Sequence, residues 1–144
     1  MNAKSFRCAE CGIGTVRPLA TAGRTMRHRT MLVPVPADLR IPTCDHCGAE
    51  WVDEAASLAI DRALEAEYRR LLLLMVGKSL EALAEHTSLK ELEQLLGLSQ
   101  GYLSKVRTGA RNPSPELVGN LALLAADPKR RLRELHRFWE SAAA

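Results

Sequence analysis

The sequence predicts an α+β protein, in which a long helix joins a small N-terminal β domain to a C-terminal all-α bundle. Two closely spaced cysteine pairs frame short β-like segments near the N-terminus. The apolar residues that follow recur at the spacing of one face of a long helix. Beyond it, glycines and prolines divide the chain into short amphipathic helices. We therefore expect a first domain over residues 1–52, a connecting helix over 53–77 and a helical domain over 78–144.

Several classes of protein are disfavoured by the sequence. No apolar core follows Met1, so we expect no signal peptide, and the apolar run Leu71–Val76 is far shorter than the roughly 20 residues of a membrane span. These features are typical of a cytoplasmic protein without a membrane segment. We find no Ser-His-Asp set, glycine-rich phosphate loop or HExxH motif in the sequence, and therefore do not expect an enzyme.

The four cysteines lie in two Cys-x-x-Cys-Gly motifs, Cys8–Gly12 and Cys44–Gly48. A two-residue spacer lets each pair aim both sulfurs at one ion, and four thiolates match the tetrahedral preference of Zn²⁺. Two disulfides or a redox dithiol are the alternatives, but a cytosolic chain favours metal. His46 could replace a cysteine, although an exposed loop position is favoured. The predicted ligands of one structural zinc ion are Cys8, Cys11, Cys44 and Cys47.

Between the cysteine pairs the pattern indicates a small sheet. Thr25–Val35 alternates in part and predicts one strand, with which Val16–Ala20 and Leu39–Thr43 could pair. Pro34 and Pro36 are expected to end this strand or to confine it to a sheet edge, because proline cannot donate to a ladder.

The connecting segment predicts a helix that begins near Asp53 and spans roughly 36 Å at about 1.5 Å per residue. Gly77 is expected to end it. A separate short helix over Ser79–His86 would then supply the first helix of the C-terminal bundle.

Two short helical segments that meet at a glycine follow in residues 87–112. Four leucines form one apolar face of the first segment: Leu89, Leu92, Leu95 and Leu96. Gly97 is placed to end it, because glycine adopts the left-handed conformation without steric cost. Ser99 is a suitable N-cap for a second helix that extends to Thr108. Two short helices at a glycine turn, the second polar and basic outside, are typical of a DNA-binding helix-turn-helix.

The outward side chains of the second helix suit DNA. An N-cap at Ser99 would leave backbone amides free for a phosphate, Gln100 can pair with adenine, and Lys105 can donate to guanine. Helical spacing would bring Gln100 and Lys105 into the same groove. Tyr102 would stack on sugar or bind a phosphate; packing against its own helix is the alternative. The predicted DNA-binding residues are Ser99, Gln100, Gly101, Tyr102, Ser104, Lys105, Arg107, Arg111 and Asn112.

Two further helices are predicted from their start signals. Ser114-Pro115 and Asp127-Pro128 each place a capping side chain before a proline at the first helical position. The last helix, Pro128–Glu140, carries an apolar stripe beside many basic residues. This stripe could close the domain core or pair two subunits, as a palindromic operator requires. The residues predicted for dimerisation are Leu132, Leu135, Phe138 and Trp139.

The charge pattern agrees with this division. The net charge is +3, but residues 1–44 carry +5, residues 45–97 carry −6 and residues 98–144 carry +4. A basic C-terminal part fits contact with phosphate. Without the helix-turn-helix pattern, a solvated charged surface would be the better interpretation.

Four segments resemble the DNA-binding core of the Xre/phage-repressor family. They are Leu-Leu-Gly-Leu-Ser (95–99), Tyr-Leu-Ser-Lys-Val (102–106), Thr-Gly (108–109) and Arg-Asn-Pro-Ser (111–114). The chain departs from the usual family pattern at one point, because Ser88 is followed by Leu89 rather than by a glutamine. The resemblance implies a helix-turn-helix bundle that binds double-stranded DNA.

The N-terminal part carries a second resemblance. CGIGTVRP after the first cysteine pair and CGAEWVDEA after the second resemble the YgiT-type zinc finger of MqsA-type antitoxins, in which a zinc domain precedes an Xre-like domain. This resemblance implies zinc binding by the four cysteines, dimerisation through the C-terminal domain, toxin binding by the zinc domain and repression of the protein's own operon. A stand-alone zinc-containing regulator without a toxin is the alternative.

Overall fold

The computed structural model describes residues 4–20 and 23–143 and confirms the α+β class. In these ranges, five short strands precede five helices. The chain divides into two compact units, which we call unit 1 (Met1–Tyr68) and unit 2 (Arg69–Ala144). The division falls within the first helix, so each unit contains one part of it.

Unit 1 contains a three-stranded antiparallel sheet in the order β1-β2-β5. Its strands are β1 (Phe6–Arg7), β2 (Thr15–Ala20) and β5 (Arg40–Cys44). The register pairs Val16 with Cys44, so the strand that follows the first cysteine pair lies beside the strand that leads into the second. Both cysteine motifs therefore lie at the same end of the sheet.

A separate hairpin follows β2, and here the sequence prediction was wrong. The single strand expected over Thr25–Val35 is two strands, β3 (Thr25–His28) and β4 (Met31–Pro34), which pair only with each other in the described sheets. The chain reverses at Arg29, whose φ of +50° lies in the left-handed region. Arginine is not a residue that is typical of such a turn, so the sequence pattern does not predict it.

Helix α1 (Glu54–Leu83) begins as expected. The Asp53 carboxylate accepts a hydrogen bond from the amide of Ala56 at 2.7 Å, as an N-cap does. In unit 1, residues of the first half of α1 are buried, among them Ile60, Leu64 and Tyr68.

The helix does not end at Gly77, and the separate helix expected over Ser79–His86 is its continuation. A glycine inside a helix costs about 1 kcal/mol relative to alanine. Val76, Leu80 and Leu83 flank this glycine and are buried in unit 2. Since burying one such side chain contributes about 1.5–3 kcal/mol, packing outweighs the glycine.

Unit 2 continues with four helices: α2 (Leu89–Leu95), α3 (Tyr102–Arg107), α4 (Pro115–Ala126) and α5 (Pro128–Ala142). The predicted starts of α4 and α5 are confirmed. Ser114 accepts a hydrogen bond from Leu117 N at 3.1 Å, and Asp127 accepts one from Arg130 N at 3.3 Å. The most deeply buried side chains of this unit are Val76, Leu83, Leu92, Leu103, Val106 and Leu121.

None of the helices in the described part of the chain is both long and apolar enough to cross a membrane.

Candidate metal centre and nucleic-acid interface

The four cysteine sulfurs form one cluster in unit 1, with all Sγ atoms within 4.8 Å of one another. The Sγ atoms of Cys8 and Cys47 are 3.7 Å apart, as are those of Cys11 and Cys44. Four sulfurs at about 2.3 Å from a central ion in tetrahedral geometry lie about 3.8 Å from each other. The predicted cluster is therefore present, and its spacing fits a metal ion.

The two motifs, which we call the first knuckle (Cys8–Gly12) and the second knuckle (Cys44–Gly48), share one backbone geometry. In each, the final glycine amide donates to the carbonyl of the first cysteine, at 3.0 Å and 3.1 Å. Both glycines have positive φ, +65° and +74°, which explains why glycine ends each motif. Because each knuckle is a tight turn, its two sulfurs project to the same side.

Backbone amides point at the sulfurs. Cys11 Sγ accepts from Gly14 N at 3.4 Å, and Cys44 Sγ accepts from His46 N at 3.4 Å and Cys47 N at 3.5 Å. Such donors stabilise thiolates without adding a charge. His46 is exposed, and it lies outside the cluster of potential ligands.

The surroundings of the cluster shift the pKa values of Cys11 and Cys47 in opposite directions. Hydrogen bonds from the amides of Gly14 and Ile13 lower the pKa of Cys11 to about 6. The hydrogen bond from the Ala49 amide lowers the pKa of Cys47, but desolvation and the three neighbouring sulfurs together outweigh it and raise this pKa to about 12. Four thiolates at this spacing would repel each other. A cation at the centre would offset that repulsion and stabilise all four as thiolates.

The sequence motifs alone do not predict the importance of Gly14. A Cβ at this position would lie 2.5 Å from Cys44 Sγ and 2.7 Å from His46 Cβ, which is too close for any side chain. Gly14 thus allows the first knuckle to pack directly against the second. The Cys-Gly-Ile-Gly sequence contains the signal, because Gly12 alone supplies the positive φ of the turn and Gly14 does not have one.

The cysteine cluster also forms part of the core at this end of unit 1. Cys8, Val16 and Cys44 are buried, and Trp51 packs against them. The Trp51 ring meets Phe6 edge to face, with ring centroids 6.0 Å apart. The core here is therefore built largely from potential metal ligands and one indole.

In unit 2, α2 and α3 form the predicted pair of short helices. Gly97 has a φ of +67°, Gly97 N donates to Gln94 O at 3.2 Å, and Leu98 N donates to Glu93 O at 2.8 Å. This pair of bonds is the Schellman arrangement that ends many helices. The expectation that Gly97 ends the first helix is confirmed.

The start of α3 differs from the prediction. The helix begins at Tyr102, its N-cap is Gly101 with a φ of +80°, and Ser99 lies in the preceding turn. Gln100 is thus not helical, and helical spacing no longer places it beside Lys105. The amides of Gly101 and Leu103 are not free, because both donate to the carboxylate of Glu93. The phosphate site expected at a serine N-cap is therefore replaced by an internal carboxylate.

Helix α3 buries Leu103 and Val106, as predicted. Seven of the predicted DNA-binding residues are exposed: Ser99, Gln100, Ser104, Lys105, Arg107, Arg111 and Asn112. The remaining two, Gly101 and Tyr102, are half-buried.

The basic turn after α3 is held by its own contacts. The Lys105 carbonyl accepts from Thr108 Oγ1 at 3.1 Å and from Arg111 N at 3.2 Å. The Arg111 guanidinium lies over the Tyr102 ring, 5.4 Å from its centroid. This contact packs the Tyr102 ring against the turn after α3 and brings the ring and a cation together on one surface.

Residues 80–124 match a helix-turn-helix family. The matched region begins in the last part of α1 and ends in α4, so it contains both helices of the predicted motif. This match supports a DNA-binding transcription regulator. No curated protein matches the chain.

The residues predicted for dimerisation divide into two groups. Leu132 is buried within unit 2 and Leu135 is half-buried, whereas Phe138 and Trp139 are 57% and 51% exposed. Trp139 Nε1 donates to Leu95 O at 2.9 Å, which attaches the end of α5 to α2. Helix α5 therefore closes the core of its own unit, and the aromatic pair remains accessible at its end.

Proposed function

We propose that the protein is a sequence-specific transcriptional repressor that binds its own operator through α3 and the basic turn after it. The observation that carries this proposal is the family match over α2 and α3, together with the exposed polar and basic side chains that α3 presents. In the proposed complex, Lys105 donates to a guanine and Gln100 pairs with an adenine. Arg107, Arg111 and Asn112 bind the DNA backbone.

We further propose that the repressor is a homodimer on a palindromic operator, since a two-fold DNA site is read best by a two-fold protein. The exposed ends of Phe138 and Trp139, with the half-buried Leu135, are the proposed contact. Leu132 supports this surface from inside the unit rather than touching a partner.

The proposed metal is one structural zinc ion bound by the four cysteines. All-thiolate, tetrahedral coordination suits Zn²⁺ among the common cellular cations, and it leaves no open position for a catalytic water. This closed shell is also the reason why we propose a binding protein and not a metalloenzyme.

The finer proposal is that the protein is the antitoxin of a type II toxin-antitoxin pair and that unit 1 binds the toxin. Its support is the resemblance of both knuckles to the zinc finger of MqsA-type antitoxins and the order of the two regions. A regulator with the same DNA-binding part and no toxin is the alternative. Co-purification of the product of the native operon, with metal analysis on the same sample, separates the two: a small protein co-purifying in equal amount supports the antitoxin.

The DNA-binding proposal is tested by comparing Lys105→Ala and Arg111→Ala on a promoter fragment of the protein's own gene. Lys105→Ala should weaken binding by about tenfold or more at one base step, because one base contact is worth about 1–3 kcal/mol. Arg111→Ala should weaken all sequences alike and reduce the salt slope by about 1. Gel shifts at several salt concentrations measure both.

Arg133→Ala is the matched control, since Arg133 is an exposed cation on α5 outside the proposed surface. It removes the same charge and should leave the affinity within about twofold of wild type. Wild-type affinity in both Lys105→Ala and Arg111→Ala would contradict the proposal.

A further inference from the structure

Glu93 is a buried acid at the centre of the helix-turn-helix. Its side chain belongs to α2 and only 3% of the residue is exposed. Among the described residues, Glu93 is the one charged side chain that is buried. Burying a carboxylate costs several kcal/mol unless hydrogen bonds replace its water. The contacts of Glu93 must therefore be sufficient to offset that cost.

Each carboxylate oxygen of Glu93 accepts one backbone amide at the start of α3. Oε2 accepts from Gly101 N at 3.0 Å, and Oε1 accepts from Leu103 N at 2.9 Å. The intervening amide, Tyr102 N, donates to Ser99 O at 3.1 Å. The amides of the N-cap and of the first two residues of α3 are thus satisfied, two of the three by one side chain from the neighbouring helix.

This arrangement replaces a local cap. The N-cap of α3 is Gly101, which has no side chain to offer. A carboxylate at a helix N-terminus both accepts the free amides and opposes the positive end of the helix dipole. Glu93 performs this function from α2, across the turn.

The main chain of the same residue holds the other side of the turn. Glu93 O accepts from Leu98 N at 2.8 Å, within the bonds that end α2. One residue therefore fixes both the exit of the chain from α2 and its entry into α3. Helix α3 has six residues, too few to be stable alone, so its direction depends on such tertiary contacts.

We propose that Glu93 is a positioning residue for DNA recognition, which orients α3 so that its outward side chains meet the bases. The proposal rests on the proposed DNA-binding function. It also implies that no phosphate binds at the start of α3, since an internal carboxylate occupies those amides. Phosphate contacts then come from the basic end of α3 and the turn after it, where Arg107 and Arg111 are exposed.

Glu93→Gln tests the proposal without changing the size of the side chain. Glutamine has one oxygen, so it can accept one of the two amides, and its NH₂ group would face the other donor. Glu91→Gln is the matched control, because Glu91 is an exposed residue on the same helix and the change removes the same charge. Both full-length variants are measured beside the wild type.

Two measurements are needed. The first is binding to a duplex selected from a random pool by the wild-type protein and to a scrambled duplex of equal length. Glu93→Gln should reduce the ratio of the two affinities by about tenfold or more, at an unchanged salt slope. Glu91→Gln should keep the ratio and bind both duplexes as tightly as wild type or slightly better, because it removes a negative charge.

The second measurement is amide hydrogen exchange in the DNA-free proteins. Glu93→Gln should speed exchange at Gly101 and Leu103 but not at buried residues of α4 such as Val118 and Leu121. Wild-type exchange at Gly101 and Leu103, or a wild-type affinity ratio, would overturn the positioning role. Faster exchange throughout unit 2 would overturn it as well, because Glu93 would then stabilise the whole unit.

The exchange result also separates this proposal from the DNA-binding one. If the wild-type protein selects no duplex, the proposed function fails. Exchange at Gly101 and Leu103 still decides whether Glu93 holds the start of α3.

Discussion

The knuckle end of unit 1 and the helical bundle of unit 2 are stabilised in different ways. In the core beside the knuckles, two of the three buried residues are the potential ligands Cys8 and Cys44. In unit 2, leucines and valines fill the core, and polar side chains cap the helices. A small β unit of this kind gains little from its apolar core, so a bound ion is expected to supply much of its stability. The bundle is expected to fold by apolar packing and helix capping, without an ion.

The largest expected effect of a single change is therefore in unit 1. Cys44→Ser should abolish metal binding and unfold the knuckles, because a structural zinc site contributes on the order of 10 kcal/mol to the folding of small domains. Unit 2 should keep its native amide spectrum. Metal content by native mass spectrometry and amide NMR spectra of the full-length protein measure the two effects.

His46→Ala provides the control within the same knuckle. His46 is exposed and its backbone amide, which alanine retains, makes the hydrogen bond to Cys44 Sγ. This variant should have the same metal content as the wild type. A Cys44→Ser protein that retains one ion per chain and an unchanged unit 1 spectrum would show that the thiol cluster is not the stabilising site.

A smaller effect is expected from replacing Gly14 or Gly12 by alanine. The two changes differ because an added Cβ meets other atoms at Gly14 but not at Gly12. Gly14→Ala places a Cβ 2.5 Å from Cys44 Sγ and should lower metal affinity by tenfold or more, roughly 1.4 kcal/mol. Gly12→Ala meets no atom within 4 Å but must hold a φ of +65°, at a cost of about 1–2 kcal/mol in stability.

Competition with a chromophoric chelator and thermal unfolding of the metal-loaded protein distinguish the two variants. Gly14→Ala should lose mainly affinity, since it displaces a ligand. Gly12→Ala should lose mainly thermal stability, since its strain lies in the turn. The opposite order would mean that the two knuckles do not pack through Gly14.

Much of this architecture could be predicted from sequence because each signal acts locally. The cysteine spacing predicted the cluster, and Ser114-Pro115 and Asp127-Pro128 predicted helix starts that the structure confirms. Gly97 ends α2 by a bond pattern within six residues. Gly77 failed as a stop signal because neighbouring buried residues outweigh the preference of one glycine.

The features that sequence reasoning missed depend on contacts distant in the chain or across a turn. Gly14 matters because of Cys44, thirty residues away. Glu93 stood in the apolar stripe of α2, four residues after Leu89 and three before Leu96, and a charge at such a position is the signal that could have revealed it. The sequence favours Ser99 as a cap because serine commonly caps a helix locally, whereas here the cap comes from another helix.

The smallest expected effects concern the helix caps of unit 2, and they test whether Glu93 or Ser99 caps α3. Ser114→Ala should destabilise unit 2 by about 1 kcal/mol, because Ser114 Oγ accepts the amide of Leu117 at 3.1 Å. Ser99→Ala should change stability by less than about 0.5 kcal/mol, since Glu93 rather than Ser99 holds the start of α3. Urea unfolding followed by NMR signals of unit 2 measures both, and neither change should alter metal content. An equal loss for Ser99→Ala would restore the serine as the cap of α3.

Removing the metal should leave the difference in stability between the two serine variants unchanged, because unit 2 is expected to depend on packing and caps and not on the ion.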